Sequence, residues 1–311
     1  MSNSKLIKIA AALFAIGIIL FFVGSLFGGR GIFLNSSFQI SVAGDMEYFE
    51  FEDRDLKAFT GVNIDVANMP VTFLPSDNDS YGVKLAYYAT DKDNMTVTVK
   101  DNTLIVEYEP QKRYISFDFS FLSETKKEYV IVYLPKQEYG TIDASTSNGM
   151  ISMEKVDVVV KKLILDTSNG PITASDISTD MITADTSNGS VSLSGIVSEE
   201  IRVKTSNAPV KVSSGEISVL EIRTSNGSVH LDGLTFAGKP DVFVKTSNGG
   251  ISTDFATCRE SDFRVKADTS NANIFVNGDN LRDNHYTTKD GDGRLNLKTS
   301  NGRIEMYFGL D

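Results

Sequence analysis

Eight copies of Thr-Ser-Asn constrain this chain more than any other feature. They begin at Thr146, Thr167, Thr186, Thr205, Thr224, Thr246, Thr269 and Thr299. Gly follows in six copies, and Ala208 and Ala272 take its place in the other two. The spacings are 21, 19, 19, 19, 22, 23 and 30 residues. The last gap holds a degenerate copy, Thr288-Lys289-Asp290-Gly291, placed 19 residues after Thr269. A fixed period of this length is the signature of a repeat architecture, in which each unit buries its apolar face only against its neighbours.

Alignment on the Thr shows what each unit is. Two residues before it stand Ala144, Leu165, Ala184, Val203, Ile222, Val244, Ala267 and Leu297; four before, Ile142, Leu163, Ile182, Ile201, Leu220, Val242, Val265 and Leu295. Five after stand Ile151, Ile172, Val191, Val210, Val229, Ile251, Ile274 and Ile304. All 24 are apolar, and the residues between them are mostly polar. Seven after, Thr253 is the one polar residue in an otherwise apolar column. Alternation with period two marks a strand with one buried face on each side of the motif. Two strands of ~5–6 residues and two turns fill ~19 residues. The regular period favours stacked coils over a row of hairpins. The fold class is therefore all-β, a β-solenoid; eight or nine coils at ~4.8 Å each would form a rod ~40 Å long.

The motif itself is turn chemistry, since Asn tolerates and Gly freely adopts left-handed backbone. Period two places Thr on the buried face and Asn at the corner, so stacking would set Thr over Thr and Asn over Asn. If that ladder is buried, Asn207→Ala should cost about 1–3 kcal/mol. The residue before each Thr faces outward, which would set Asp185 beside Lys204 and Lys245 beside Asp268.

Ahead of the repeat, residues 62–73 (VNIDVANMPVTF) match residues 201–212 (IRVKTSNAPVKV), with Val66 at the place of Thr205 and Asn68 at that of Asn207. This is a diverged coil that caps or opens the solenoid. Residues 81–88, 95–99, 103–108 and 129–134 read as further strands, with Asp101-Asn102 a tight turn. The segment 114–121 (YISFDFSF) alternates aromatic or aliphatic with polar residues. It reads either as a strand covering the solenoid mouth or as an exposed aromatic surface for a glycan or partner.

Residues 129–153 (YVIVYLPKQEYGTIDASTSNGMISM), followed by repeated Thr-Ser-Asn-Gly units, resemble the bacterial "putative adhesin" family. The resemblance covers about residues 55–308, and a strand ending in Leu134-Pro135 just before the first unit is typical of it. It implies an envelope protein, often single-pass in the membrane and in some cases encoded with envelope stress genes. It carries over no catalytic residues.

The N-terminus sets the compartment. Ile9 to Phe27 is uncharged for 19 residues, close to the ~20 a helix needs to cross hydrocarbon. Lys5 and Lys8 precede it and Arg30 follows, so the bias favours residues 1–8 as a cytoplasmic tail and the body outside. A cleaved signal peptide is the rival, but no clear small-x-small cleavage site ends the run. Gly24 and Gly28 form a GxxxG pair within it. The expected organisation is a transmembrane helix at 9–27, a juxtamembrane spacer at 28–54, an N-terminal β region with a capping coil at 55–140, and the solenoid at 141–308. The partner of residues 9–27 is the lipid bilayer.

Composition narrows function. A net charge of −11 argues against nucleic acid, whose binding draws on Lys and Arg. Cys258 is single, so there is no disulfide framework or cysteine metal site. The two His, His230 and His285, leave little for a histidine-based centre, and His230 follows the inward Val229 and so faces solvent. Nucleophile elbow, zinc-helix and phosphate-loop motifs are all missing from the sequence. Asp290-Gly291-Asp292-Gly293 lacks the acidic closing residue of a calcium loop and reads as a turn. Asp166 and Asp185 share a column on adjacent coils, and a glycoside-cleaving solenoid would need such a pair. The reading is of no enzyme, with no catalytic, cofactor or metal residues. The chain is expected to be a non-enzymatic binding or structural protein facing an envelope protein or cell-wall glycan. The alternatives are an accessory to an envelope stress sensor and a polysaccharide-active enzyme.

Overall fold

The computed structural model describes residues 32–34, 40–42, 47–89, 93–109, 115–117 and 126–310. The tail at 1–8 and the apolar run at 9–27, with Gly24 and Gly28, lie outside them. No helix among the described residues is long and apolar enough to cross a membrane.

Each repeat is one coil of a β-solenoid. A strand such as Val159–Thr167 ends at the Thr, the chain turns through Ser-Asn-Gly, and a second strand such as Ile172–Ser175 runs back on the opposite sheet. Successive coils pair in parallel and in register: Leu163 lies beside Ile182, Leu165 beside Ala184 and Thr167 beside Thr186. The first strands form one sheet and the second strands another. Between the sheets the 24 apolar column positions are at most 1 % exposed. Burial of each Val, Leu or Ile among them is worth about 1.5–3 kcal/mol, which is what holds the two sheets together.

The corner differs from the sequence expectation in an instructive way. None of the Thr-Ser-Asn-Gly residues has a positive φ. Where Gly stands there, space is short: a Cβ on Gly170 would sit 1.8 Å from the Gly149 carbonyl oxygen, and one on Gly189 1.7 Å from that of Gly170, whereas the corners of Ala208 and Ala272 accommodate a Cβ. The left-handed residues occupy the other corner, as a column of Lys155, Asp176, Gly195, Ser214 and Gly233. Thr does not bond to Thr. The buried Thr167 hydroxyl donates to the Gly149 carbonyl of the coil before (3.1 Å) and accepts from the Gly170 N–H of its own corner (3.2 Å). The same two bonds recur at Thr246 and Thr299. At Thr205 and Thr269, where Ala follows Asn, the hydroxyl still donates to Gly189 and Gly302.

The Asn ladder does form. Each amide Nδ2 donates to the Oδ1 of the neighbouring coil at 2.6–2.7 Å from Asn169 onward, and Asn148 donates to Asn68. It is solvent-exposed along its whole length, not buried. Water can replace a lost partner there, so the ladder contributes less than a buried one would.

The diverged coil is where the sequence placed it: Val66 pairs with Thr146, and Gly61–Val66 and Val71–Pro75 join the two sheets. It is not the outermost coil. Thr103–Glu109 flanks it on the first sheet and Tyr129–Leu134 on the second. The tight turn at Asp101-Asn102 is present, with both residues at positive φ (50° and 58°), the geometry that suits a two-residue hairpin.

At the other end the chain order and the stacking order part. The coil Gly293–Lys298/Ile304–Phe308 lies directly on the coil of Thr246, and the coil of Thr269 lies outside it. The long last gap supplies the chain needed to return to that inner slot. The predicted degenerate coil at Thr288 therefore does not exist. Beside Phe263–Asp268 the outer place is taken by the antiparallel strand His285–Thr287. The Thr288 hydroxyl instead donates to the Phe263 carbonyl (3.1 Å) and accepts from the Val265 N–H (2.9 Å). A short antiparallel strand, Asp279–Asn280, likewise lies along Phe275–Val276. Such short strands blunt an edge that would otherwise template further pairing. The inversion also removes one expected pair: Lys245 stands beside Lys298, not Asp268. Asp185 and Lys204 do meet, at 3.8 Å.

The chain divides into two compact units, and all nine coils among the described residues belong to the one formed by residues 50–85, 95–108 and 129–311. The other contains a three-stranded antiparallel sheet of Ile40–Val42, Ile32–Leu34 and Ile115–Phe117. Thus part of the aromatic segment is a strand, and its partner lies in the stretch read as a spacer. That stretch also holds the start of Glu47–Leu56, the edge strand of the second solenoid sheet. Its alternation was masked by charge, because most of its side chains are exposed.

Two stability measurements test this account. Gly170→Ala should cost about 1–3 kcal/mol, the usual range for overpacking, whereas Asn207→Ala should cost about 1 kcal/mol or less; equal shifts in melting midpoint would contradict the steric role of Gly. Thr253 is 0 % exposed and its hydroxyl has no hydrogen-bond partner. Thr253→Val should therefore raise stability by about 1 kcal/mol in a denaturant titration.

Candidate functional surfaces

With the inner columns committed to packing, the chemistry that varies lies on the outer faces. On the first sheet the residue before each corner Thr points outward, as expected. In stacking order the column reads Asp65, Ser145, Asp166, Asp185, then Lys204, Arg223, Lys245, Lys298, and finally Asp268. Acids occupy one end and a run of four cations follows.

The candidate acid pair is real as a neighbour relation: Asp166 and Asp185 are register partners on adjacent strands. The Asp166 carboxyl is pushed above its ordinary value, first by desolvation and then by the charges of Asp185 and Asp143. Asp143 is raised as well, by desolvation and by Asp65. Asp185 is instead engaged by Lys204. Asp166 is exposed on an open sheet face, and neither of the two main cavities among the described residues is lined by Asp166 or Asp185. A hydrolase needs its pair to flank a bound sugar. Among the described residues no group of three or more His, Cys, Asp or Glu is placed to hold a metal ion.

One of two cavities among the described residues was signalled in the sequence only by spacing. The coils running to Thr246 and Thr269 are 22 and 23 residues long where the preceding three are 19. Between the strands ending at Arg223 and Lys245 the register slips: Ile217 pairs with Phe236 but Val219 with Asp241. The extra residues bulge outward with Gly238 at φ 63°. Together with the short 3-10 turn Glu260–Asp262 they wall a cavity of about 520 Å³. Phe236, Pro240, Phe263 and Cys258 line it, with Asp262 and Asp292 among its polar residues. Phe236 packs edge-on against Phe255 (5.1 Å) and Phe263 (5.5 Å), which fixes that wall. Cys258 is buried here, and burial pushes its thiol above the ordinary range, so it is poorly nucleophilic at neutral pH. The stretch at residues 290–292 is irregular and bends at Asp292 into the strand Gly293–Lys298, with Gly291 at φ 99°.

The two His are exposed. His230 contacts the Ser228 hydroxyl through Nε2 at 3.2 Å, and His285 meets Asp268 through Nδ1 at 2.5 Å. Both contacts lie on the exposed surface, and neither His lines either of the two cavities described above.

The family described as Toastrack DUF4097 matches residues 59–306. No curated protein matches the chain. Among solved structures it is similar to a "putative adhesin" from Bacteroides fragilis NCTC 9343, at 12 % identity and a TM-score of 0.44 over 84 % of this chain and 97 % of that one. It is also similar to a "putative adhesin" from Parabacteroides distasonis ATCC 8503, at 12 % identity and a TM-score of 0.43 over 85 % and 98 %. A third, a "putative lipid binding protein" from the same strain, shares 12 % identity with a TM-score of 0.39 over 85 % and 97 %.

The acid pair yields a pH test. The folded-state value of Asp166 is raised, so folding binds its proton more tightly than the unfolded chain does. Its ionised form therefore destabilises the fold as pH rises through the carboxylate range. Asp166→Asn should raise the melting midpoint at pH 7 and leave it unchanged near pH 3; an equal gain at both would remove the electrostatic explanation.

Proposed function

Because the chain belongs to the Toastrack DUF4097 family and its inward positions are given over to packing, we propose that it is a non-enzymatic, adhesin-like cell-envelope protein. Residues 9–27 anchor it in the lipid bilayer, with residues 1–8 on the cytoplasmic side and the solenoid outside. The sheet faces bind an envelope protein or a cell-wall glycan. One observation carries this reading: the outward column of the first sheet is accessible and unenclosed, with its charges sorted into an acidic and a basic run. Stacked flat faces of this kind suit an extended partner that spans many coils. They do not suit a small substrate, which needs a pocket that buries most of its surface.

The full chain in detergent micelles should be retained by isolated cell walls and should release no soluble sugar from them. Hydrolysis of an envelope polysaccharide that is lost in the Asp166→Asn/Asp185→Asn variant would replace the binding reading with an enzymatic one. Failure of retention together with an altered envelope-stress response in a deletion strain would assign an accessory role instead.

A further inference from the structure

We infer that the basic run of the first sheet is a binding strip for a linear polyol-phosphate polymer of the envelope. This rests on the binding role proposed above and names the partner of that face.

Lys204, Arg223, Lys245 and Lys298 are successive register partners. At about 4.8 Å per strand they span ~14 Å. Like charges directly opposite one another on neighbouring strands are destabilising, and this fold sets four in a row. Two of them are partly compensated within the protein: Lys204 by Asp185 at 3.8 Å, and Arg223 by Glu221 at 2.5 Å, with its guanidinium also over the Phe243 ring at 4.7 Å. Lys245 and Lys298, both exposed, form no ion pair among the described residues. Their juxtaposition is not a local accident. It arises because the last coil inserts next to the coil of Thr246; in chain order Asp268 would have stood beside Lys245 and neutralised it. Asp268 instead closes the strip at its far end, held by His285 and Lys266.

The chemistry beside the strip narrows the partner. On each of these four coils the cation is followed, past the inward Thr, by Ser and then by the ladder Asn: Ser206, Ser225, Ser247 and Ser300, with Asn207, Asn226, Asn248 and Asn301. Three of these Ser are exposed and Ser300 is half-buried. Each coil thus offers a cation, a hydroxyl and an amide, repeated along the stack. A polymer that alternates phosphate with hydroxyl-bearing carbons presents the complementary series. Phosphate oxygens accept from ammonium and hydroxyl donors, and the polyol hydroxyls meet Ser and Asn. Lys acts on phosphate as a point charge without demanding a fixed planar geometry, which suits a flexible chain. The strip is one side chain wide. On its strand side Glu221 lies beside Arg223, and Asp241 is engaged by Arg294. A nucleic-acid duplex would lay its second strand over those acids, whereas a single thin chain need not.

The test is a titration of the full chain in detergent micelles with synthetic poly(glycerol phosphate), alongside a polyuronate, single-stranded DNA and a neutral glucan. Poly(glycerol phosphate) should bind most tightly. By analogy with single-stranded polyanions, about 0.7 decade in affinity is lost per decade of salt for each neutralised charge, so four cations imply a loss of roughly 50-fold between about 50 and 200 mM salt. Lys245→Gln/Lys298→Gln should weaken binding by about tenfold or more and flatten the salt dependence to about half. Lys245→Arg/Lys298→Arg should retain it, and Lys162→Gln, on the same sheet away from the strip, should change nothing. Removal of the like charges should leave the melting midpoint unchanged or raise it, so loss of binding is separable from loss of fold. Binding that is indifferent to the Gln double variant, or that favours the polyuronate or DNA, overturns the inference. Retention on cell walls that persists in that variant, and on walls stripped of phosphate polymer, would refute the strip while leaving the binding role intact. Loss of all wall retention in the wild-type chain would refute both.

Discussion

Everything in the solenoid depends on how closely two coils approach at the Thr-Ser-Asn-Gly corner. The Gly of one coil has no room for a side chain because the carbonyl oxygen of the preceding Gly stands where a Cβ would be. That contact lets coils with Gly at the corner approach at backbone distance. The Thr hydroxyl then completes the arrangement. It is buried, and it uses both a donor and an acceptor site, one to the carbonyl below and one from the N–H of its own corner. A buried carbonyl and a buried N–H are thus satisfied by one side chain, as burial of backbone polar groups requires.

A fixed in-register stack has a consequence for function. Any residue in a column is delivered to a line of like positions at strand spacing, and a charge repeated from coil to coil becomes a stripe. Inside, this gives an apolar core that excludes chemistry. Outside, it gives repetitive faces whose charge pattern is set by the order of the coils. Where two coils are lengthened, the lattice opens into the cavity beside Cys258. Its wall is held by the cluster of Phe236, Phe255 and Phe263.

Much of this was legible because it is periodic. The alternation on either side of Thr identified the buried columns, and residues 62–73 were recognisable as a coil although Val66 stands in place of Thr. The corner was recognisable, but the reasons for its residues were not. Asn-Gly suggests left-handed backbone, while the structure uses Gly there for clearance and places the left-handed residues at the opposite corner, at Asp176, Gly195 and Ser214. Those positions carry several residue types, so no motif announced them. The strands at 32–34 and 47–56 were read as spacer because short or solvent-exposed strands carry no apolar alternation.

The sequence by itself determined the coil: its length, its inward and outward faces, and its corner, since each follows from contacts within one repeat or with an identical neighbour. Only the tertiary structure decided the order of the coils. Thr269 and Thr299 carry the same Thr-Ser-Asn and the same apolar columns, differing at Ala272 and Gly302, so the columns alone do not say which coil neighbours that of Thr246. The choice fell to the capping strand His285–Thr287 and to the length of chain between 276 and 293, which let the last coil enter the inner slot. That choice set Lys298 beside Lys245 and so made the basic strip, which local pattern could not reveal because it arises from which coils are neighbours.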